Sequence, residues 1–164
     1  MIRRLRDGLD RLPEVLVGWT PARTPFREAV YRYVDSRDRR RATAGGPFAV
    51  PPAELRYRVH GDLDVQSFLE TGRQCLDDLR AALASVGRDL GSFHEILDFG
   101  CGCGRTLRWF EPWADRARVR GTDIDAEAID WCRRCLPFAS FSVNAGLPPL
   151  GFPDGAFDLT QMRE

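Results

Sequence analysis

Three glycines at alternate positions, Gly100-Cys101-Gly102-Cys103-Gly104, follow the short apolar run Ile96-Leu97-Asp98-Phe99. A buried strand that delivers a glycine-rich loop into a helix start makes a nucleotide-cofactor site by geometry. Glycine lets a ligand approach the backbone, and the helix start offers unpaired N–H groups. Asp123 lies 19 residues beyond Gly104, closing the next apolar run. At an offset of roughly 20 residues such an acid accepts both hydroxyls of a ribose. Asp98, two residues before Gly100, sets the charge of what can bind. Beside a pyrophosphate it would place anion against anion in a partly desolvated cleft. Beside a cationic head group it attracts. The plainer readings are a loop cap for Asp98 and an exposed strand end for Asp123. Capping alone does not require three alternate glycines, and the offset from the loop favours the ribose role.

The dinucleotide fingerprint has its third glycine at the position of Arg105. The pattern here therefore departs from it, and with Asp98 it prefers a ligand bearing an ammonium and a sulfonium. S-adenosylmethionine fits; NAD does not. A second constellation competes for the same residues. Cys101-x-Cys103 with Cys132-x-x-Cys135 has the look of a four-thiolate zinc site. Metal at Cys101 and Cys103 would compete with the cofactor for one loop, so buried thiols are the better account and no metal is expected.

These residues need a scaffold, and the chain supplies an alternation. Ile96–Phe99 reads as a first strand, Arg105–Phe110 as a short helix stopped near Pro112, and Arg118–Asp123 as a second strand. Ala126–Leu136 reads as a second helix, Phe138–Val143 as a third strand, 144–155 as a Pro/Gly loop, and Phe157–Leu159 as the start of a fourth strand. Strands alternating with helices predict βαβ units and a parallel sheet. Before it the chain reads as helical. Thr24-Pro25 opens a pattern of Phe26, Val30, Tyr33 and Val34, and residues 44–47 break it. Pro51-Pro52 keeps the chain extended or turning. Phe68, Leu69, Cys75, Leu76, Leu79, Leu83 and Val86 then follow helical spacing, with Gly72 a blemish, until Gly87 and Gly91. The organisation expected is a helical leader over 1–91 and a sheet domain over 92–164. Arg105 and Arg108 are expected on the solvent face, and Trp109, Phe110, Trp131 and Phe138 in the core. His60 and His94 show no partners that would make them ligands or bases.

Ile96-Leu97-Asp98-Phe99-Gly100-Cys101-Gly102-Cys103-Gly104 resembles motif I of the class I S-adenosylmethionine-dependent methyltransferases. Gly121-Thr122-Asp123-Ile124-Asp125 resembles their second motif. Residues 143–149 and 152–159 resemble the adenine loop and the approach to the fourth strand, and residues 50–72 more loosely resemble the leader of a bacterial subgroup. Four motifs in order are more specific than one. The resemblance implies an α/β fold, the first half of a Rossmann-like methyltransferase sheet, and S-adenosyl-L-methionine as cofactor. It implies Gly100, Gly102 and Gly104 along the methionine moiety, with Asp98 orienting its ammonium directly or through water. It further implies Asp123 on the ribose and Ile124 over one adenine face. Asn144 stands where the family often has Asp to meet the adenine amine, and an amide oxygen can accept the same bond. The family continues past the fourth strand with apolar sequence, whereas this chain reads Thr160-Gln161-Met162-Arg163-Glu164. A C-terminally truncated product or fragment is therefore expected, with an unpaired sheet edge and poor solubility. No catalytic acid or base is nominated, because the family carries such groups in later segments.

Composition narrows the alternatives. In 164 residues, 43% are apolar and 10% aromatic, enough for a core. No apolar run approaches a bilayer span and no secretory signal is visible, so the expected setting is cytoplasmic. Five cysteines, an odd number, argue for a reducing compartment. All 24 basic residues are Arg. Residues 1–44 hold eleven Arg against six acids, and the remainder thirteen against eighteen. Arg37-Asp38-Arg39-Arg40-Arg41 could meet phosphate or nucleic acid, but no interleaved aromatics offer stacking, and a solvated helix end is preferred. The expected activity is methyl transfer to an unidentified acceptor. Its rivals are a non-catalytic cofactor-binding remnant and an Arg-rich binding module.

Overall fold

The computed structural model describes Pro13, Leu16, Val17 and residues 24–41 and 48–162, without the side chains of 39–41. The break at 44–47, the side chains of Arg39, Arg40 and Arg41, about half of the basic segment 1–44 and the last two residues thus lie outside what is described. Contacts divide the chain into two compact units, Met1–Val65 and Gln66–Glu164.

The first unit holds helices α1 (Pro25–Arg41) and α2 (Ala53–His60). The Thr24 hydroxyl accepts from the Arg27 N–H (3.3 Å), so the expected cap is in place. Val17, Val30, Tyr31, Val34, Ala53 and Leu63 form the core. Helix α2 has no cap of its own; Asp35, from α1, accepts from the Ala53 N–H at 2.8 Å. That borrowed cap, across 18 residues, is why the Pro-rich sequence before it does not announce the helix. Arg56 is 1% exposed and donates to the carbonyls of Pro51 (2.6 Å) and Leu63 (2.9 Å) and to the Asp38 carboxylate.

The second unit begins with α3 (Val65–Ser85), whose buried face is Phe68, Gly72, Cys75 and Leu76. The sequence boundary at residue 91 marks where the strands start; the contacts keep α3 with the sheet. Gly72 is no blemish, since a Cβ there would run into the Arg105 carbonyl oxygen and press on Trp109. The sheet comprises β1 (Glu95–Phe99), β2 (Arg118–Asp123), β3 (Ser140–Val143) and β4 (Leu159–Met162) in the order β3-β2-β1-β4, every pair parallel. The α/β parallel sheet expected is present. Between β1 and β2 the chain forms turns and then a 3-10 helix, Leu107–Trp113, with Pro112 inside it. The short α-helix expected over Arg105–Phe110 is therefore corrected to turns and a 3-10 helix that starts at Leu107 and runs through Pro112. Between β2 and β3 runs α4 (Ala126–Cys135), capped by Asp125, whose carboxylate accepts from Glu127 and Ala128 N–H. Asp158 accepts from the N–H groups of His94 (2.9 Å) and Glu95 (2.8 Å), pinning the start of β4 to that of β1.

The registers sort the side chains by face. Ile96, Asp98, Val119, Gly121, Asp123, Phe141, Leu159 and Gln161 share one face; Leu97, Phe99, Thr122, Thr160 and Met162 share the other. On the first face Gly121 leaves just enough room for Cys101, Leu107 and Phe141. On the second, β1, β4 and loop 149–157 enclose a groove of about 610 Å³, lined by Leu97, Phe99, Phe152, Phe157 and Met162 among others.

Candidate functional site

Gly100, Gly102 and Gly104 all take positive φ, +74°, +53° and +74°. The alternation seen in the sequence is thus a run of left-handed residues interleaved with cysteines. Gly104 is doubly constrained, because a Cβ there would also stand 2.5 Å from Leu136 Cδ1. The resulting loop folds back on β2. Gly100 and Cys101 donate to the Thr122 carbonyl (2.8 and 3.1 Å), Gly102 to Asp123 Oδ2 (2.7 Å), and Gly104 to the Cys101 carbonyl (2.9 Å). The N–H groups at these four positions are engaged within the protein. An anion cradle needs those donors, so the loop is a poor phosphate site.

Asp98 lies on the covered face and is 4% exposed. Burial pushes its carboxyl up to about 7; Gln161 and Arg105 pull it down, and the Asp123 charge pushes the same way as burial. It makes no salt bridge. Opposite it in the parallel register stands Gln161, also buried (6% exposed). The Gln161 amide favours the charged carboxylate, and its Nε2 has no other hydrogen-bond partner among the described residues.

Asp123 closes β2, and its two oxygens receive the N–H groups of Gly102 and Asp125 (2.9 Å for the latter). Each carboxylate oxygen keeps a further lone pair. Its neighbour Ile124 is 68% exposed, an uncovered apolar surface beside it. The Asn144 N–H donates to the Asp123 carbonyl (3.0 Å), and its Oδ1 accepts from the Thr122 hydroxyl (3.0 Å). The glycine loop, Asp123, Ile124 and Asn144 thus gather at the C-terminal ends of β1 and β2, where open α/β sheets bind ligands.

Arg108 is not on the solvent face. It is 5% exposed; its Nε donates to the Gly104 carbonyl (3.2 Å) and its guanidinium lies over the rings of Phe68 (5.5 Å) and Trp131 (5.9 Å). Burial draws its pKa down, and the thiols of Cys103, Cys132 and Cys135 oppose that. Arg105 is partly buried too. Phe110 and Trp131 are buried as expected, Trp109 and Phe138 partly so. Cys101, Cys103 and Cys132 are buried, with the thiols of Cys101 and Cys132 pushed up by burial, which keeps them protonated. Among the described residues no group of three or more His, Cys, Asp or Glu is placed to hold a metal. Sequence reasoning missed Gln161, Arg108, Gly72 and Asp158. Only Asp158 carried a signal, an acid immediately before a strand.

Fold and site together define an open α/β protein of Rossmann-like type, with a glycine loop after β1 and an acid closing β2. Residues 96–164 match the family model described as a methyltransferase domain, which upholds the class read from the motifs. A TehB-like S-adenosylmethionine-dependent methyltransferase from Corynebacterium glutamicum is similar at 26% identity, over 58% of this chain and 55% of that one (TM-score 0.38). An amino pentose methyltransferase from Micromonospora echinaspora, solved with S-adenosylmethionine, is similar at 25% identity over 68% and 41% (TM-score 0.42). A geranyl diphosphate C-methyltransferase from Streptomyces coelicolor, solved with S-adenosyl-L-homocysteine, shows 19% identity over 87% and 54% (TM-score 0.39). The chain spans about half the length of these structures. No curated protein matches it in sequence. No described helix is long and apolar enough to cross a membrane.

Proposed function

We propose that the chain binds S-adenosyl-L-methionine through its sheet domain and serves methyl transfer to an acceptor whose identity is open. The observation that carries the reading is the pairing of a buried, salt-bridge-free carboxylate, Asp98, with a glycine loop whose donors are largely spent on β2. Such a site disfavours a pyrophosphate, and a buried carboxylate without a salt bridge among the described residues suits the charge that an ammonium-bearing head group supplies. In this reading Asp98 receives the ammonium, and Gly100, Gly102 and Gly104 line the methionine chain. Asp123 uses its remaining lone pairs for the ribose hydroxyls. Ile124 covers an adenine face and Asn144 meets the adenine edge. When bound, the cofactor supplies an electrophilic methyl group on a sulfonium. The contribution of these residues is to hold and align it. All seven lie in 92–164, the part expected to work as the domain behind its leader. The buried thiols, none of them in a disulfide, suit a reducing, cytoplasmic setting.

Calorimetric titration with S-adenosylhomocysteine is expected to give saturable one-to-one binding, weakened at least tenfold by Asp98→Asn. Absence of heat at millimolar ligand would overturn the reading.

A further inference from the structure

Asp98 raises a question that the loop does not answer: what keeps a buried carboxylate oriented and ready for a cation. The groups that face it come from three directions. Asp123 on β2 and the thiols of Cys101 and Cys132 add no positive charge, and Arg105 acts from the loop. From β4 comes Gln161, on the same face and directly opposite in register. It is a buried neutral amide, with Leu159 its companion on that face. A buried amide donor without a partner costs on the order of 1–3 kcal/mol. It is tolerated most readily where a ligand completes its surroundings.

We propose that Gln161 is a positioning residue for Asp98: its side-chain N–H donates to one carboxylate oxygen and leaves the other facing the ammonium of a bound amino-acid head group. The inference rests on the cofactor reading above and adds to it a residue from β4. Asp98 alone would tilt toward whichever neighbour is nearest. With the amide behind it, the charge is fixed toward the ligand. Gln161 therefore acts on the head group only, and adenine and ribose do not sense it.

Two probes separate head group from nucleoside: S-adenosylhomocysteine, and 5′-methylthioadenosine, which lacks the amino-acid portion. In the full chain at pH 7, Gln161→Met is expected to weaken S-adenosylhomocysteine about tenfold, the effect of one charge-assisted hydrogen bond. Binding of 5′-methylthioadenosine stays within about twofold. Across pH 6–8 the midpoint of the affinity profile moves upward by about one unit, and in an Asp98→Asn background the second substitution has no further effect. Gln161→Asn, which keeps the amide but shortens its reach, gives the same selective loss if methionine there prevents folding. Equal weakening of both probes, or an unmoved pH profile, would show Gln161 to be merely structural and overturn the proposal. A wild-type chain that binds neither probe overturns the cofactor reading itself, and this one with it.

Discussion

Asp98 has to be uncharged or accompanied, because its carboxyl is raised from 3.8 to about 7, chiefly by burial, with the Asp123 charge adding to the rise and Gln161 and Arg105 opposing it. Between those values the folded chain holds a proton that the unfolded chain has released. Stability from this group is therefore complete below pH 4 and is lost as pH rises through 7, with a slope of up to about 1.4 kcal/mol per pH unit. Asn cannot titrate. The stability difference between the wild type and Asp98→Asn is thus expected to move in favour of the variant from pH 5 to pH 8. Denaturant midpoints followed by a probe in the sheet measure it, and a difference that stays constant with pH would refute the buried-acid account. The same residue that weakens the empty site at neutral pH is the one proposed to strengthen the occupied site.

At the scale of the elements, α3 is positioned by an absence. Gly72 sits mid-helix, where propensity alone favours Ala by about 1 kcal/mol. Its bare Cα instead admits the Arg105 carbonyl at the turn leading out of the glycine loop. Gly72→Ala is expected to destabilise the chain by about 1–3 kcal/mol through overpacking. Thermal melting decides by sign, since a stabilised variant would mean that propensity governs and the close approach does not. This position shows what could be read in the sequence and what could not. Strand β2 was legible to its ends, and α3, α4 and β1 to within a residue or so, because apolar periodicity and glycine punctuation are local. So were Asp98, Asp123 and the glycine triplet, whose spacing is local as well. The role of Gly72, the burial of Arg108 between Phe68 and Trp131, and Gln161 opposite Asp98 all depend on which distant segment lies alongside. Helix α2 was missed for the same reason: its cap, Asp35, belongs to another helix.

For the molecule as a whole, contacts divide the chain at Val65, and the buried charge of the first unit has its partners within that unit. That charge is Arg56, which is fully enclosed and joined to Asp38, with Asp35 4.0 Å away. Asp38, the acid within the basic run Arg37–Arg41, is thereby turned inward. Removing one partner of a buried pair leaves the other uncompensated, at a cost of about 3–5 kcal/mol, whereas removing both can be nearly neutral. Arg56→Met is therefore expected to unfold or strongly loosen α1 and α2, and Arg56→Met with Asp38→Asn to restore much of the loss. Hydrogen exchange resolved by segment reads this directly: amides of 25–41 and 53–60 lose protection in the single variant and regain it in the double one. If the double variant is as unprotected as the single, Arg56 holds the unit through its bonds to the Pro51 and Leu63 carbonyls and the charge pairing is incidental.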